Sequence, residues 1–211
     1  IEYFDIDPSN LDVDMASNII MEHGVIVLRG FFKNDIVFKN YYNDIKNLLL
    51  LIIEKHNLNI EEKLNVNELI TEISKSNRKE IGYLYDLGTR PIKLLSGTKL
   101  KCHNSVTSII KALFNSRLIG YPYNGETLHI FPPGKENFKY NLPMHQDYPY
   151  IMQSPDQYTV YANFGRIQEK ENGGISIWLG SHKDGVSKAK KLKNGYWVTE
   201  NREYYQKKYQ K

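Results

Sequence analysis

Apolar positions recur every three or four residues through about the first 116 positions. Beyond them the chain breaks into short apolar runs punctuated by proline and glycine. Asn10 or Asp12 is placed to cap a short helix that runs through Met21 and stops at Gly24. Residues 25–29, Val-Ile-Val-Leu-Arg, read as a compact strand closed by Gly30. Asn34 is the expected N-cap of a long helix reaching His56, with Ile36, Tyr41, Ile45, Leu48, Leu49 and Ile52 at helical spacing. Residues 61–76 form another amphipathic segment. Asn104 or Ser105 would cap a helix carrying Val106, Ile109, Ile110, Leu113 and Phe114.

After Asn115, tyrosine, threonine, isoleucine and valine dominate runs at 126–131, 157–164 and 174–179, separated by turn signals at Pro132-Pro133-Gly134 and Asn172-Gly173-Gly174. Several short strands at this spacing predict an antiparallel sandwich or barrel, the jelly roll among them. The expected architecture is α+β in one domain over 1–211. A mainly helical layer (1–116) packs outside a mostly β core (117–187), and a basic segment (188–211) follows.

Composition adds bounds. With 211 residues, 41% hydrophobic and 25% charged, the chain can bury a core and is not a disordered segment. The longest purely apolar run, 48–53, is far below the roughly 20 residues of a membrane-spanning helix, so no membrane partner is expected. A single cysteine, Cys102, excludes an internal disulfide and a multi-cysteine zinc site. No signal-peptide pattern opens the chain, which makes the cytoplasm the expected compartment. The net charge of +4 is uneven: residues 183–211 carry +6, and residues 1–182 carry −2. A solvated face explains the basic tail better than a nucleic-acid arm, and no nucleic-acid partner is expected.

The chemistry concentrates in Leu142-Pro-Met-His-Gln-Asp147. In a strand, residues i and i+2 share a face, so His145 and Asp147 converge on one point. An imidazole nitrogen beside a carboxylate oxygen supplies two of the three ligands in the facial triad of non-haem Fe(II) oxygenases. The competing reading is a surface turn in which Asp147 bonds its own backbone. Elsewhere, His23 precedes a helix stop and His56 ends a long helix, both suited to the helix dipole. His103 adjoins Cys102 near an expected N-cap, too isolated for a zinc site or a catalytic dyad. His129 alternates with Thr127 and reads as a core histidine. No P-loop, Rossmann fingerprint or nucleophile elbow is present.

Thr127-Leu-His-Ile-Phe-Pro-Pro-Gly134 precedes the motif. Tyr158-Thr-Val-Tyr-Ala162 and Glu171-Asn-Gly-Gly-Ile-Ser-Ile-Trp-Leu-Gly-Ser-His-Lys-Asp-Gly185 follow it. This ordered set, densest over 117–187, resembles the phytanoyl-CoA dioxygenase family of Fe(II)/2-oxoglutarate-dependent oxygenases. Residues 24–31 are also similar to the strand that opens many members. The resemblance implies a double-stranded β-helix, a cupin-like jelly roll. It implies iron ligation by His145 and Asp147, which are also the catalytic residues, with 2-oxoglutarate and O₂ as co-substrates. A small molecule would be hydroxylated, with release of succinate and CO₂. Thr127 and Tyr161 match co-substrate-pocket positions. Gln146 belongs to the same cofactor region, and facing away from its neighbours in a strand it supports the site rather than binding metal. The carboxylate at Asp147 argues for hydroxylation, since related halogenases carry a small residue there.

The family's third ligand is a histidine tens of residues further on, followed by an arginine that grips 2-oxoglutarate bidentately. Only His182 follows Asp147, in the Gly-Ser-His-Lys segment where the family's histidine is not a ligand, so it is a remote candidate for the third position. The chain is therefore expected to be a fragment of a longer protein, lacking the C-terminal strands, with weak metal retention and open sheet edges that invite aggregation. The alternative function is a cupin-type metabolite- or carbohydrate-binding module without redox chemistry.

Overall fold

A computed structural model describes residues 5–8, 11–76, 94–120, 143–151, 157–164, 175–193 and 195–209. In chain order they form β1 (Asp5–Ile6), α1 (Val13–His23), β2 (Val27–Leu28), α2 (Ile36–Lys55), α3 (Val66–Ser76), α4 (Leu95–Lys101) and α5 (Asn104–Leu113). Then follow α6 (Tyr148–Ile151), a 3₁₀ turn (Ser181–Asp184), β3 (Ala189–Lys191), β4 (Trp197–Thr199) and α7 (Arg202–Tyr209).

The helix boundaries follow from local chemistry. Asp12 caps α1 by accepting from the Asp14 N–H, and Gly24 ends it in the left-handed region at φ 78°, its own N–H bonded to Ile20. Asp35, rather than the expected Asn34, caps α2: its carboxylate accepts from the Phe38 N–H at 2.9 Å. At α3, Asn65 and Glu68 exchange side-chain-to-backbone hydrogen bonds of 3.0 and 2.8 Å, a capping box. The helix starting at Asn104 takes His103 as its cap residue, without a side-chain cap bond.

Ile45, Leu49 and Ile53 form one stripe of α2 and bury themselves against Val66, Leu69 and Ile73 of α3. Full burial of side chains this size makes truncation costly, about 2–5 kcal/mol for Leu49→Ala. α4 packs on the same helix through its buried small residues Ser96 and Gly97, and the Ser96 hydroxyl donates to Asp44. Ala16 and Ile20 of α1 meet Ile109 of α5 in a second core, with Leu28 of β2 beside it.

The expected mostly β jelly roll is overturned. About 51% of the described residues are helical. The strands are two or three residues long and form two separate two-stranded sheets, parallel β1–β2 and antiparallel β3–β4. Residues 157–164 and 175–179, expected as strands, join no ladder, and Val160, Ile175 and Ile177 stand exposed. β-branched and aromatic composition expresses a preference that only a pairing partner converts into a strand. The expected run at 126–131, the turns at 132–134 and 172–174, and His129 lie outside the described residues.

The basic tail is divided. Residues 189–199 make the β3–β4 hairpin, turning through Gly195 at φ 91°. α7 then docks on the 3₁₀ turn, where Lys208 meets both carboxylate oxygens of Asp184 at 2.7 and 2.8 Å and Tyr205 stacks on Trp178. The remaining lysines of the hairpin and helix are exposed. Among the described residues no helix is long and apolar enough to cross a membrane.

Candidate functional site

Residues 143–147 are irregular rather than a strand, and the chain turns directly into α6. A backbone hydrogen bond of 3.3 Å from Thr199 to the Met144 carbonyl ties the segment to β4. His145 and Asp147 nevertheless converge, with Nε2 3.3 Å from Oδ1. Asp147 also accepts a 2.6 Å hydrogen bond from the Thr159 hydroxyl at Oδ2. Its carboxylate thus reaches two other side chains.

The second ring nitrogen of His145, Nδ1, lies 2.6 Å from the Pro143 carbonyl oxygen. A carbonyl can only accept, so Nδ1 carries the proton and donates. In the neutral ring this leaves the Nε2 lone pair pointing toward Asp147, the tautomer that metal-ligating histidines usually take. The Asp147 hydrogen bond, opposed by partial burial and assisted by the Pro143 carbonyl, holds the imidazole above its usual pKa. His145 and Asp147 would have to give up the proton the pair shares in order to hold a metal. His145 keeps 22% of its side-chain exposure and Asp147 41%.

Gln146 bonds the loop at Gly185 and Ser187. Its amide donates to the Gly185 carbonyl at 3.0 Å and accepts from the Ser187 N–H at 2.8 Å and the Ser187 hydroxyl at 3.0 Å. The residue between the two candidate ligands is thereby anchored to the loop that follows the 3₁₀ turn. Tyr161 lies two residues beyond Thr159, 42% exposed, and partial burial pushes its phenol pKa up. Thr127 lies outside the described residues.

The structure places His182, the remote third-ligand candidate, against the end of α1. Its Nε2 bonds the Met21 carbonyl at 2.9 Å. Its ring rests on Gly24 so closely that a Cβ there would sit 2.5 Å from Nδ1. The Gly180 N–H adds a 2.8 Å bond to the His23 carbonyl, so this loop closes the C-terminal end of α1. Among the described residues no three histidine, cysteine, aspartate or glutamate side chains gather as a metal-holding group. The His145–Asp147 pair fits two positions of a metal's shell.

Two features escaped sequence reasoning. Thr159 lies in a segment singled out for Tyr161, and nothing local marks its hydroxyl as a partner of Asp147. His103, read as isolated, pairs with Asp35 at 2.9 Å across 68 positions, with Phe31 and Phe32 edge-on to its ring. Compared with known protein families, curated proteins and solved structures, the chain matches none.

Proposed function

We propose that this chain carries part of the active site of an Fe(II)- and 2-oxoglutarate-dependent dioxygenase that hydroxylates a small molecule. His145 and Asp147 would hold the iron. The observation that carries the reading is their convergence at 3.3 Å with the Pro143 carbonyl fixing the ring tautomer. It is supported by the ordered motifs around them that resemble the phytanoyl-CoA dioxygenase family.

Bound Fe(II) would supply O₂ activation coupled to decarboxylation of the 2-oxo acid: one oxygen atom ends in succinate, the other in the hydroxylated product, and CO₂ leaves. This chain's own residues do the placing. Pro143 orients His145, Thr159 orients Asp147, and Gln146 holds the intervening backbone on Gly185 and Ser187. Thr127 and Tyr161 are proposed for the co-substrate pocket.

The test is succinate release from 2-oxoglutarate with Fe(II) and ascorbate, coupled to a substrate or uncoupled. Wild-type turnover that is lost in a His145→Ala/Asp147→Ala double variant supports the assignment, and equal turnover by the two rejects it. The rival is a metabolite-binding module without redox chemistry, favoured by the commitment of His182 to α1. Such a module retains neither Fe(II) nor Co(II) on equilibrium dialysis.

A further inference from the structure

We propose that Thr159 is a positioning residue for metal binding, committing Asp147 to ligation through a single oxygen. The inference rests on the metal-site reading above. A carboxylate can meet a metal through one oxygen or both. Here the Thr159 hydroxyl donates to Oδ2 at 2.6 Å, while Oδ1 faces His145 Nε2 at 3.3 Å. A donor held on Oδ2 fixes the rotation of the carboxylate and presents Oδ1 beside the imidazole. Ligation through one oxygen conserves a coordination position, which a chelating 2-oxo acid needs in addition to the one for O₂.

The hydroxyl is held in place from outside the metal segment. On one side of Thr159, Tyr158 packs edge-on against Phe114 at the end of α5, ring centroids 5.2 Å apart. On the other, Phe164 lies among Phe38, Tyr41 and Tyr42 of α2, with centroids 5.5–5.7 Å away. Both anchors belong to the helical part of the molecule. The helices therefore place the hydroxyl, and the hydroxyl sets Asp147.

The experiment uses Co(II) with the 211-residue chain, read by equilibrium dialysis and by the visible absorption of the bound metal. Wild type, Thr159→Ser, Thr159→Val and His145→Ala are compared. Serine keeps the donor and should match wild type. Valine keeps the shape and should lose about tenfold in affinity, the scale at which orienting groups act on metal sites, with altered absorption bands. Should valine also lower the thermal midpoint, serine decides: retained affinity supports the role, and loss assigns it to the methyl group and overturns the proposal. Wild-type affinity in Thr159→Val overturns the role of Thr159 and leaves the metal site standing. Absence of Co(II) binding by wild type, or equal binding by His145→Ala, overturns the metal reading and this inference with it.

Discussion

His103–Asp35 and His145–Asp147 place the same two functional groups 2.9 and 3.3 Å apart, in surroundings that differ at every other point. The Asp35 oxygen not facing His103 caps α2 at Phe38, and His103 itself begins α5, so the pair ties two helix N-termini together. Phe31 and Phe32 lie edge-on to the ring, and the side chains keep 16% and 22% exposure, against 22% and 41% at His145–Asp147. At His145–Asp147, Nδ1 donates to the Pro143 carbonyl and Oδ2 accepts from the Thr159 hydroxyl. A histidine beside a carboxylate is thus not a site in itself. The other nitrogen is buried without a hydrogen-bond partner among the described residues in His103 and donates to a carbonyl in His145. The other oxygen caps a helix in Asp35 and takes a hydroxyl in Asp147. These differences separate a structural clasp from a candidate metal centre.

The sharpest break of this comparison is exchange of the histidines. His145→Ala should abolish Co(II) retention with little change in thermal midpoint, whereas His103→Ala should leave retention intact and lower stability by about 1–3 kcal/mol. Urea unfolding and metal dialysis on the same preparations check both halves, and a reversed pattern would exchange the two roles.

A smaller effect separates the two functions of Asp35. Asp35→Ala removes the cap and the His103 partner together and should cost about 2 kcal/mol. Asp35→Asn keeps a capping oxygen and should cost about half as much. Equal costs in urea unfolding would assign the whole effect to the charge.

The smallest effect is in acid. Desolvation raises the Asp35 pKa, but the Phe38 N–H and His103 outweigh it and hold the carboxyl below its usual value. The unfolded chain therefore takes up a proton at higher pH than the folded one. The stability from Asp35 is complete above the ordinary carboxylate range and is lost as pH falls through the depressed folded value. Thermal midpoints recorded below about pH 4 should fall more gently in Asp35→Asn than in wild type. Parallel curves would remove Asp35 from the account of acid sensitivity.

Where a signal was local, the chain was readable. α1 between Asp12 and Gly24, the stripe of α2 and the amphipathic α3 all stand within residues of their expected positions, because capping and periodicity act over one or two turns. α4 escaped because its buried residues, Ser96 and Gly97, form no apolar stripe. The β3–β4 hairpin escaped although Asn194-Gly195 is an ordinary turn signal. The jelly roll failed because strand-like composition at 157–164 and 175–179 met no pairing partner among the described residues.

The amino-acid order alone determined where α1 and α2 lie to within a residue or two and where α3 ends, and it singled out His145 and Asp147 as a pair that could act together. Their convergence survived even though the backbone there is not the strand it was expected to be, since two residues of separation keep the groups within reach. Tertiary structure alone decided the rest. Thr159 reaches Asp147 across 12 positions, Ser187 reaches Gln146 across 41, and His103 reaches Asp35 across 68. Such bonds depend on how helices and loops pack once the apolar stripes are buried, and no local preference of the chain encodes that arrangement.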